Sequence, residues 1–224
     1  MELDVVYAGV RARIGATLAD GGPSVDDVRV PSCPDWNVAQ LTAHLAGTIS
    51  ALVARNGPTG DTQAWVDGHV ADRAGRTALE NWREWESVAP QFAALLVAHP
   101  GGYGALLYDA IVHEDDINAA LGRPSVRDAD AVTYGLQRLF WGLDKEARAA
   151  AIGTLEVTTA GESYRAGDGD PVATLQLDDR WEVLRSFGAR RSAAQFRRLP
   201  LHGDVEAWLA MLPHDAPVDD LHER

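Results

Sequence analysis

Polar side chains on the apolar face of one helix constrain this chain more than any other feature. Apolar residues recur at three- and four-residue steps through the segment 104–124, which predicts an amphipathic helix that a Gly-x-Pro sequence ends. Asp109 and His113 lie four residues apart and Asp116 follows three later, so all three share the apolar side of this helix. Burying a carboxylate and an imidazole costs free energy unless each has a partner.

Two kinds of partner fit these groups, and the segment alone leaves both open. A divalent metal suits both, and Asp-x3-His supplies two ligands from consecutive turns of one rigid element. A buried Asp–His hydrogen bond that joins helices is the alternative. A second predicted helix, with Asn37 as its N-cap, carries His44 on its apolar stripe. A histidine on such a face is ordinarily a hydrogen-bonded core residue, so His44 also needs a partner from another element.

The charge and cysteine content of the 224-residue chain exclude several classes of protein. The chain has 20 Lys+Arg against 33 Asp+Glu, a formal net charge of -13, and lacks the basic stripe of a nucleic-acid or anionic-membrane binder. No apolar run reaches the ~20 residues of a membrane span, and the N-terminus lacks the pattern of a secretory signal. The one cysteine, Cys33, excludes an internal disulfide. We therefore expect a soluble, cytoplasmic protein that binds neither nucleic acid nor membranes.

The hydrophobic period changes along the chain and predicts an α+β fold in two domains. Four long helices with short to medium links predict a bundle over residues 1–125, where facing side chains can build a metal site. Alternating patterns after the next helix predict a small α/β domain with an antiparallel sheet over residues 126–224. The predicted helices are Leu3–Leu18, one from Asn37, Leu79–Val97, 104–124, Asp128–Ala150, Trp181–Phe187 and His202–Leu212, and the predicted strands are Thr154–Thr159, Glu162–Arg165 and Ala173–Leu177.

Three motifs resemble, in the same order, signatures of the mycothiol-dependent maleylpyruvate isomerase family. They are S-C-P-D-W-N at 32–37 with H-L-A-G at 44–47, D-x3-H-x2-D from Asp109 with A-L-G-R-P at 120–124, and W-E-V-L-R at 181–185 with G-A-R-R-S at 188–192. The likeness covers most of the chain. The first two motifs are specific as a pair, and the third is weaker.

The resemblance implies a DinB-like four-helix metal-binding domain followed by a small sterol-carrier-protein-like α/β domain. Family members hold a divalent metal, usually zinc, through one histidine of the second helix and a carboxylate and a histidine of the last. These positions fall on His44, Asp109 and His113. The family usually has Glu in place of Asp109, so the metal must lie closer to the helix or a water must fill the gap. Three protein ligands with open positions are typical of a catalytic site.

The resemblance also implies mycothiol, a sugar-linked cysteine derivative of actinobacteria, as a cofactor. A Lewis-acidic metal with an open position lowers the pKa of a bound thiol, and the thiolate is a nucleophile for a small anionic or electrophilic substrate. The expected function is therefore an isomerase or thiol S-transferase, active as a monomer or homodimer. Two alternatives stay open: a non-catalytic metal-stabilised module that binds a ligand or a protein, and a metal-assisted hydrolase.

Five further residues have two interpretations each. Arg190 and Arg191 lie on a Gly-containing loop and can hold an anionic substrate or the thiol cofactor, because arginine forks bind carboxylates bidentately; salt bridges to nearby acidic residues are the alternative. Asp116 either supports the ligating histidine of its helix or has a structural role, which we favour because contact within one helix is awkward. Cys33 indicates packing rather than a nucleophile. We interpret His69 as a solvated loop histidine rather than an extra ligand.

Overall fold

Helices dominate the first half of the chain and the main sheet belongs to the second half, which confirms the predicted α+β fold. The computed structural model describes residues 1–212 and 217–223; residues 213–216 and 224 of the predicted second domain lie outside this range. The chain divides into two units, Met1–Val126 together with Glu223, and Arg127–His222, with a boundary one residue from the predicted one. None of the helices described is long and apolar enough to cross a membrane.

Four long helices form the first unit, with a short helix and a hairpin added to them. Its elements are α1 (Leu3–Gly21), β1 (Arg29–Val30), β2 (Cys33–Asn37), α2 (Val38–Val53), α3 (Thr62–Ala71), α4 (Ala78–Ala98) and α5 (Pro100–Ala120). Each of α1, α2, α4 and α5 packs against at least two of the others, and α3 packs on α2. Their apolar stripes form the core, with Val10, Ile14, Leu41, Leu45, Trp85, Phe92 and Leu107 among its buried residues.

Local sequence signals fix where α2 begins and how closely α3 approaches it. The Asn37 side chain accepts a hydrogen bond from the Gln40 backbone N–H at 2.8 Å, and Gln40 Oε1 accepts from the Asn37 N–H at 3.0 Å, which confirms Asn37 as the N-cap. Further along α2, a Cβ added at Gly47 would lie 2.6 Å from the Cβ of His69. The absence of a side chain at Gly47 therefore lets α3 lie directly against α2, one turn from His44.

Three features of the first unit differ from what the sequence predicted. The α5 helix begins at Pro100, four residues before its predicted start, because a proline is well suited to the first turn of a helix. His99 alone separates α4 from α5, where a longer turn was predicted. The predicted loop before Asn37 contains the β1–β2 hairpin, which carries Cys33 and Trp36.

The second unit combines helices with a four-stranded sheet. Its elements are α6 (Ala129–Ala150), β3 (Thr154–Thr159), β4 (Glu162–Ala166), β5 (Pro171–Gln176), α7 (Arg180–Phe187), α8 (Ala193–Arg197), β6 (Leu201–Gly203) and α9 (Val205–Leu209). The strand order is β4-β3-β5-β6. The α6 helix packs against β4 and α7, so it belongs to this unit.

The sheet is mixed, so the predicted antiparallel arrangement is wrong for one strand pair. β3 and β5 are parallel, with Thr154 opposite Pro171. β4 runs antiparallel to β3 and so ends beside the first residue of β3. The short segment 167–170 then crosses to the other side of β3, where β5 begins at the same end of the sheet. Gly167 permits the crossing: its φ is 104°, and a Cβ there would lie 1.9 Å from the carbonyl oxygen of Gly153.

The predicted helix His202–Leu212 is also wrong at its start. His202 lies in β6, opposite Thr174 of β5, and the helix α9 begins only after Asp204, whose side chain accepts from the Ala207 N–H at 3.0 Å. The free edge of β5 offers backbone hydrogen bonds to the segment, and a helical conformation of these residues would forgo them.

An ion cluster joins α2, α4 and the segment after α3. Glu84 accepts hydrogen bonds from Ser50 at 3.0 Å, from Arg73 Nη2 at 2.5 Å and from Arg76 Nη1 at 2.5 Å. Burial opposes ionisation of this carboxyl group, but the hydrogen bonds from the two guanidinium groups outweigh it and lower the pKa of Glu84 to about 2. The carboxylate therefore stabilises the first unit wherever it is ionised.

We predict that Glu84 makes the free energy of unfolding fall as the pH is lowered. Its folded-state pKa lies below that of an unfolded Glu (about 4.3), so its contribution is present above that pH and is lost as the pH falls towards 2. Glu84→Gln should lower the free energy of unfolding at pH 7 and reduce its fall between pH 5 and 3, as measured by urea denaturation. Glu146→Gln, on the exposed surface of α6, is the control. A Glu84→Gln variant with the pH profile of the parent chain would contradict this assignment.

Candidate metal centre

Helices α2 and α5 bring His44, Asp109 and His113 together, the three residues that the sequence predicted as ligands. Asp109 Oδ2 lies 2.9 Å from His44 Nε2, and Asp109 Oδ1 lies 3.2 Å from His113 Nε2. One ligand atom from each residue lies within 4.8 Å of the others, an arrangement that can hold a metal ion. Asp109 is the central member, because each of its oxygens faces a different imidazole.

The hydrogen bonds around His113 assign its protonation. Its Nε2 faces Asp109, and its Nδ1 lies 2.8 Å from Asp116 Oδ2, so both ring nitrogens donate to carboxylates. Burial of the ring favours its neutral form, but the Asp109 charge and the hydrogen bonds outweigh burial and raise the pKa of His113 well above its ordinary value. The network therefore favours the protonated form of His113.

Asp109 is ionised for the complementary reason. Burial alone would raise its pKa, but the two neighbouring histidines hold the pKa of this carboxyl group well below its usual range. His44 completes the network by placing its Nδ1 3.4 Å from the Thr48 hydroxyl. About a third of the Asp109 side chain (32%) is exposed, whereas the side chains of His44 (9%) and His113 (5%) are nearly enclosed. An ion can therefore approach the cluster from the Asp109 side.

The donor set fits a divalent first-row metal. Two imidazole nitrogens and a carboxylate suit zinc and its neighbours, and three protein ligands leave coordination positions open. Each Asp109 oxygen now accepts an imidazole N–H, and an ion that binds all three groups takes the place of those protons. The residues present therefore fit a divalent metal.

Asp116 contacts His113 directly, which corrects the expectation that contact within one helix is awkward. The i,i+3 spacing brings the fully buried Asp116 carboxylate to the ring nitrogen that faces away from Asp109. A carboxylate in this position fixes the orientation and tautomer of a ligating histidine. Cys33 Sγ lies 3.9 Å from the same Asp116 oxygen, and Cys33, His113 and Asp116 form a second group that can hold a metal ion. The sequence did not indicate this second group.

Trp36 and His69 flank the cluster in ways that the sequence did not predict. The Trp36 ring stacks on the His44 ring, with centroids 5.1 Å apart and planes at 29°. His69 lies in α3 rather than in a solvated loop, and its ring meets Trp65 edge-on at 4.5 Å. Among the described residues, neither His69 Nε2 nor Trp65 Nε1 has a hydrogen-bond partner. Burial and the nearby Arg73 lower the pKa of His69.

Arg190 and Arg191 lie in the second unit, on the loop between α7 and α8. Arg191 is buried, and its Nε and Nη2 donate to the two carboxylate oxygens of Glu182 at 2.8 and 2.7 Å. Arg190 Nη1 donates to the Gly188 carbonyl oxygen at 3.1 Å. The Arg191–Glu182 pair matches the salt-bridge alternative, and a role for either arginine in binding substrate or thiol stays a prediction.

Comparisons with protein-family models, with curated proteins and with solved structures each found no match. The resemblance of the three motifs to the mycothiol-dependent maleylpyruvate isomerase family therefore stays a prediction.

Purified protein should contain close to one divalent ion per chain, because three ligands of two types converge on one point. Titrating the metal-free protein with zinc in buffers of different ionisation enthalpy should also show release of about one proton per ion at neutral pH, from the His113 imidazolium. Elemental analysis of a His44→Ala, His113→Ala double variant is the control. Full metal content in this variant would exclude the site.

Asp109 distinguishes a metal centre from a purely structural hydrogen-bond network. If Asp109 is a ligand, Asp109→Asn should weaken zinc binding by at least about 10–100-fold, and Asp109→Glu should bind as tightly as the parent chain or more tightly. If Asp109 only joins the helices, Asn should lower stability without changing the metal content, and Glu should overpack the site. Zinc titrations and thermal melts with and without a chelator separate the two. Unchanged zinc affinity in Asp109→Asn would show that Asp109 is not a ligand.

Proposed function

We propose that this protein is a metal-dependent enzyme that uses a small-molecule thiol, mycothiol by its family resemblance, as an isomerase or S-transferase. One observation carries the proposal: His44, Asp109 and His113 form a three-ligand cluster that is open on the Asp109 side. A structural metal site ordinarily has four protein ligands, whereas three with an open side are typical of a catalytic one. The thiol and its substrate are the expected partners, in the cytoplasm, for a monomer or homodimer.

Each residue in and around the cluster would have a separate role. His44, Asp109 and His113 would hold the ion, and when bound it would supply Lewis acidity that lowers the pKa of a thiol. Asp116 would keep the Nδ1 proton on His113, so that Nε2 is free to act as a ligand. Trp36, stacked on His44, would cover one side of the cluster and limit the access of water there.

A non-catalytic role is the second candidate, and the hydrogen bonds of the cluster favour it. Asp109 accepts from both histidines and so joins α2 to α5. Such a network can stabilise a helical unit that binds a ligand or a protein elsewhere. Among residues 1–212 and 217–223, no comparable feature favours a metal-assisted hydrolase.

The test is a thiol-transfer screen on the metal-loaded protein. Mycothiol, glutathione and cysteine would each be supplied with maleylpyruvate for isomerisation and with monochlorobimane as a general electrophile for S-transfer. We expect turnover that depends on metal and is greatest with mycothiol, and a His44→Ala variant should lose at least about 100-fold.

His202→Ala is the matched control, since His202 is exposed on β6 and takes no part in the cluster. It should retain the parent activity. A metal-loaded protein without turnover for any thiol would support the non-catalytic alternative.

A further inference from the structure

An open cleft of about 600 Å³ lies beside the candidate metal centre, within the first unit. Residues of the β1–β2 hairpin, the first turns of α2, the end of α3 and the segment before α4 line it. Trp36 and Ala43 belong to this lining, and Trp36 also stacks on His44. The cleft and the candidate ligand His44 therefore share a wall, and the volume accommodates a small molecule.

The charged groups of the cleft are mainly acidic. Four aspartates line it: Asp26, Asp27, Asp35 and Asp67. Asp26 accepts from the Ala78 N–H and Asp67 from the Gln63 amide, each at 2.8 Å, and neither of these neutral donors cancels the carboxylate charge. Among the described residues, no basic group forms an ion pair with Asp27 or Asp35.

The acidic neighbour Glu84 offsets part of the positive charge of the lining. Arg73 and Arg76 are the basic residues in the lining, and both donate to Glu84 at 2.5 Å. Together with this Glu84, the lining carries more negative than positive charge. Three of the four aspartates are exposed and alone would be an ordinary solvated surface, but here they line a cleft together with Trp36. A charged ligand in the cleft therefore experiences a negative potential.

We propose that this cleft binds the thiol or substrate of the metal centre and selects against anions, so that its ligand is polar and either neutral or cationic. This assignment rests on the proposed function. It differs from the anionic substrate expected at Arg190 and Arg191, because the ligand of the cleft is neutral or cationic. A protonated amine on the ligand would lie near Asp27 and Asp35. A hydroxyl-rich ligand would use the polar groups of Asn37 and Gln40, which also line the cleft.

Three small thiols of different charge test this charge preference on the cobalt-loaded protein. Cysteamine is cationic, 2-mercaptoethanol neutral and 3-mercaptopropionate anionic at neutral pH, and the near-ultraviolet sulfur-to-cobalt charge-transfer band reports the binding of each. We expect the parent chain to bind cysteamine most tightly and 3-mercaptopropionate least tightly. In an Asp27→Asn, Asp35→Asn variant, the dissociation constant of cysteamine divided by that of 3-mercaptopropionate should rise about tenfold. The cation loses affinity relative to the anion when the two carboxylate charges are removed.

The three thiols also differ in basicity and chelating power, but these differences are the same for the parent chain and for every variant. A change in the ratio between the parent chain and a variant therefore reports the protein alone. Asp170→Asn, Asp178→Asn is the control variant: it makes the same change in net charge at exposed positions of the second unit. It should keep the parent ratio. The band intensity at saturation and thermal melts show that each variant is folded and loaded with one cobalt ion.

The outcomes separate the cleft from the proposed function. If no thiol produces a charge-transfer band on the cobalt-loaded parent chain, the proposed thiol chemistry is wrong, and the cleft assignment falls with it. If all three thiols bind and the Asp27→Asn, Asp35→Asn variant keeps the parent ratio, the cleft does not select charge and only the cleft assignment is wrong. The same shift in the control variant would also refute it, because the effect would then come from net charge.

Discussion

The Asp109 carboxylate, held between two imidazoles, is the interaction on which the site depends. It joins α2 to α5, because one oxygen lies 2.9 Å from His44 and the other 3.2 Å from His113. The three groups determine one another's charge: the histidines keep Asp109 ionised, and Asp109 keeps His113 protonated. The cluster is a hydrogen-bond network, and the same residues can hold a metal ion. One set of residues therefore fits both interpretations of the sequence.

The surrounding helices keep this network in place. The capping box at Asn37 fixes the start of α2 and thus the position of His44 along the helix. Asp116 holds Nδ1 of His113, the ring nitrogen that faces away from Asp109. The neighbouring Gly47 lets α3 lie against α2. The first two contacts limit the freedom of His44 and His113, and a metal site needs such restraint because its ligands must converge within a few tenths of an ångström.

Opposite charges are arranged differently in the two units. The first unit ties Arg73 and Arg76 to Glu84 and leaves acidic groups around the cleft, whereas the second unit pairs Arg191 with Glu182 in its interior. The sequence left two alternatives for Arg190 and Arg191 on the loop between α7 and α8, an anion site or salt bridges. For Arg191 the pairing weakens the first alternative, because a guanidinium that is already bidentate to a carboxylate has fewer donors left for a ligand.

The sequence by itself determined the α+β class, the main helices and the placing of Asp109 and His113 on one helix face, since helical periodicity and i,i+4 spacing are local properties that the chain displays directly. His44 was implied as the third member of the cluster by the resemblance of the motifs. The tertiary structure decided the rest. Cys33 and Trp36 reach the cluster only through the hairpin, the parallel pairing of β3 and β5 depends on how strands meet in space, and the cleft exists only between elements that are distant in sequence. Contacts between distant segments leave no periodic signal, so they were beyond the reach of the sequence alone.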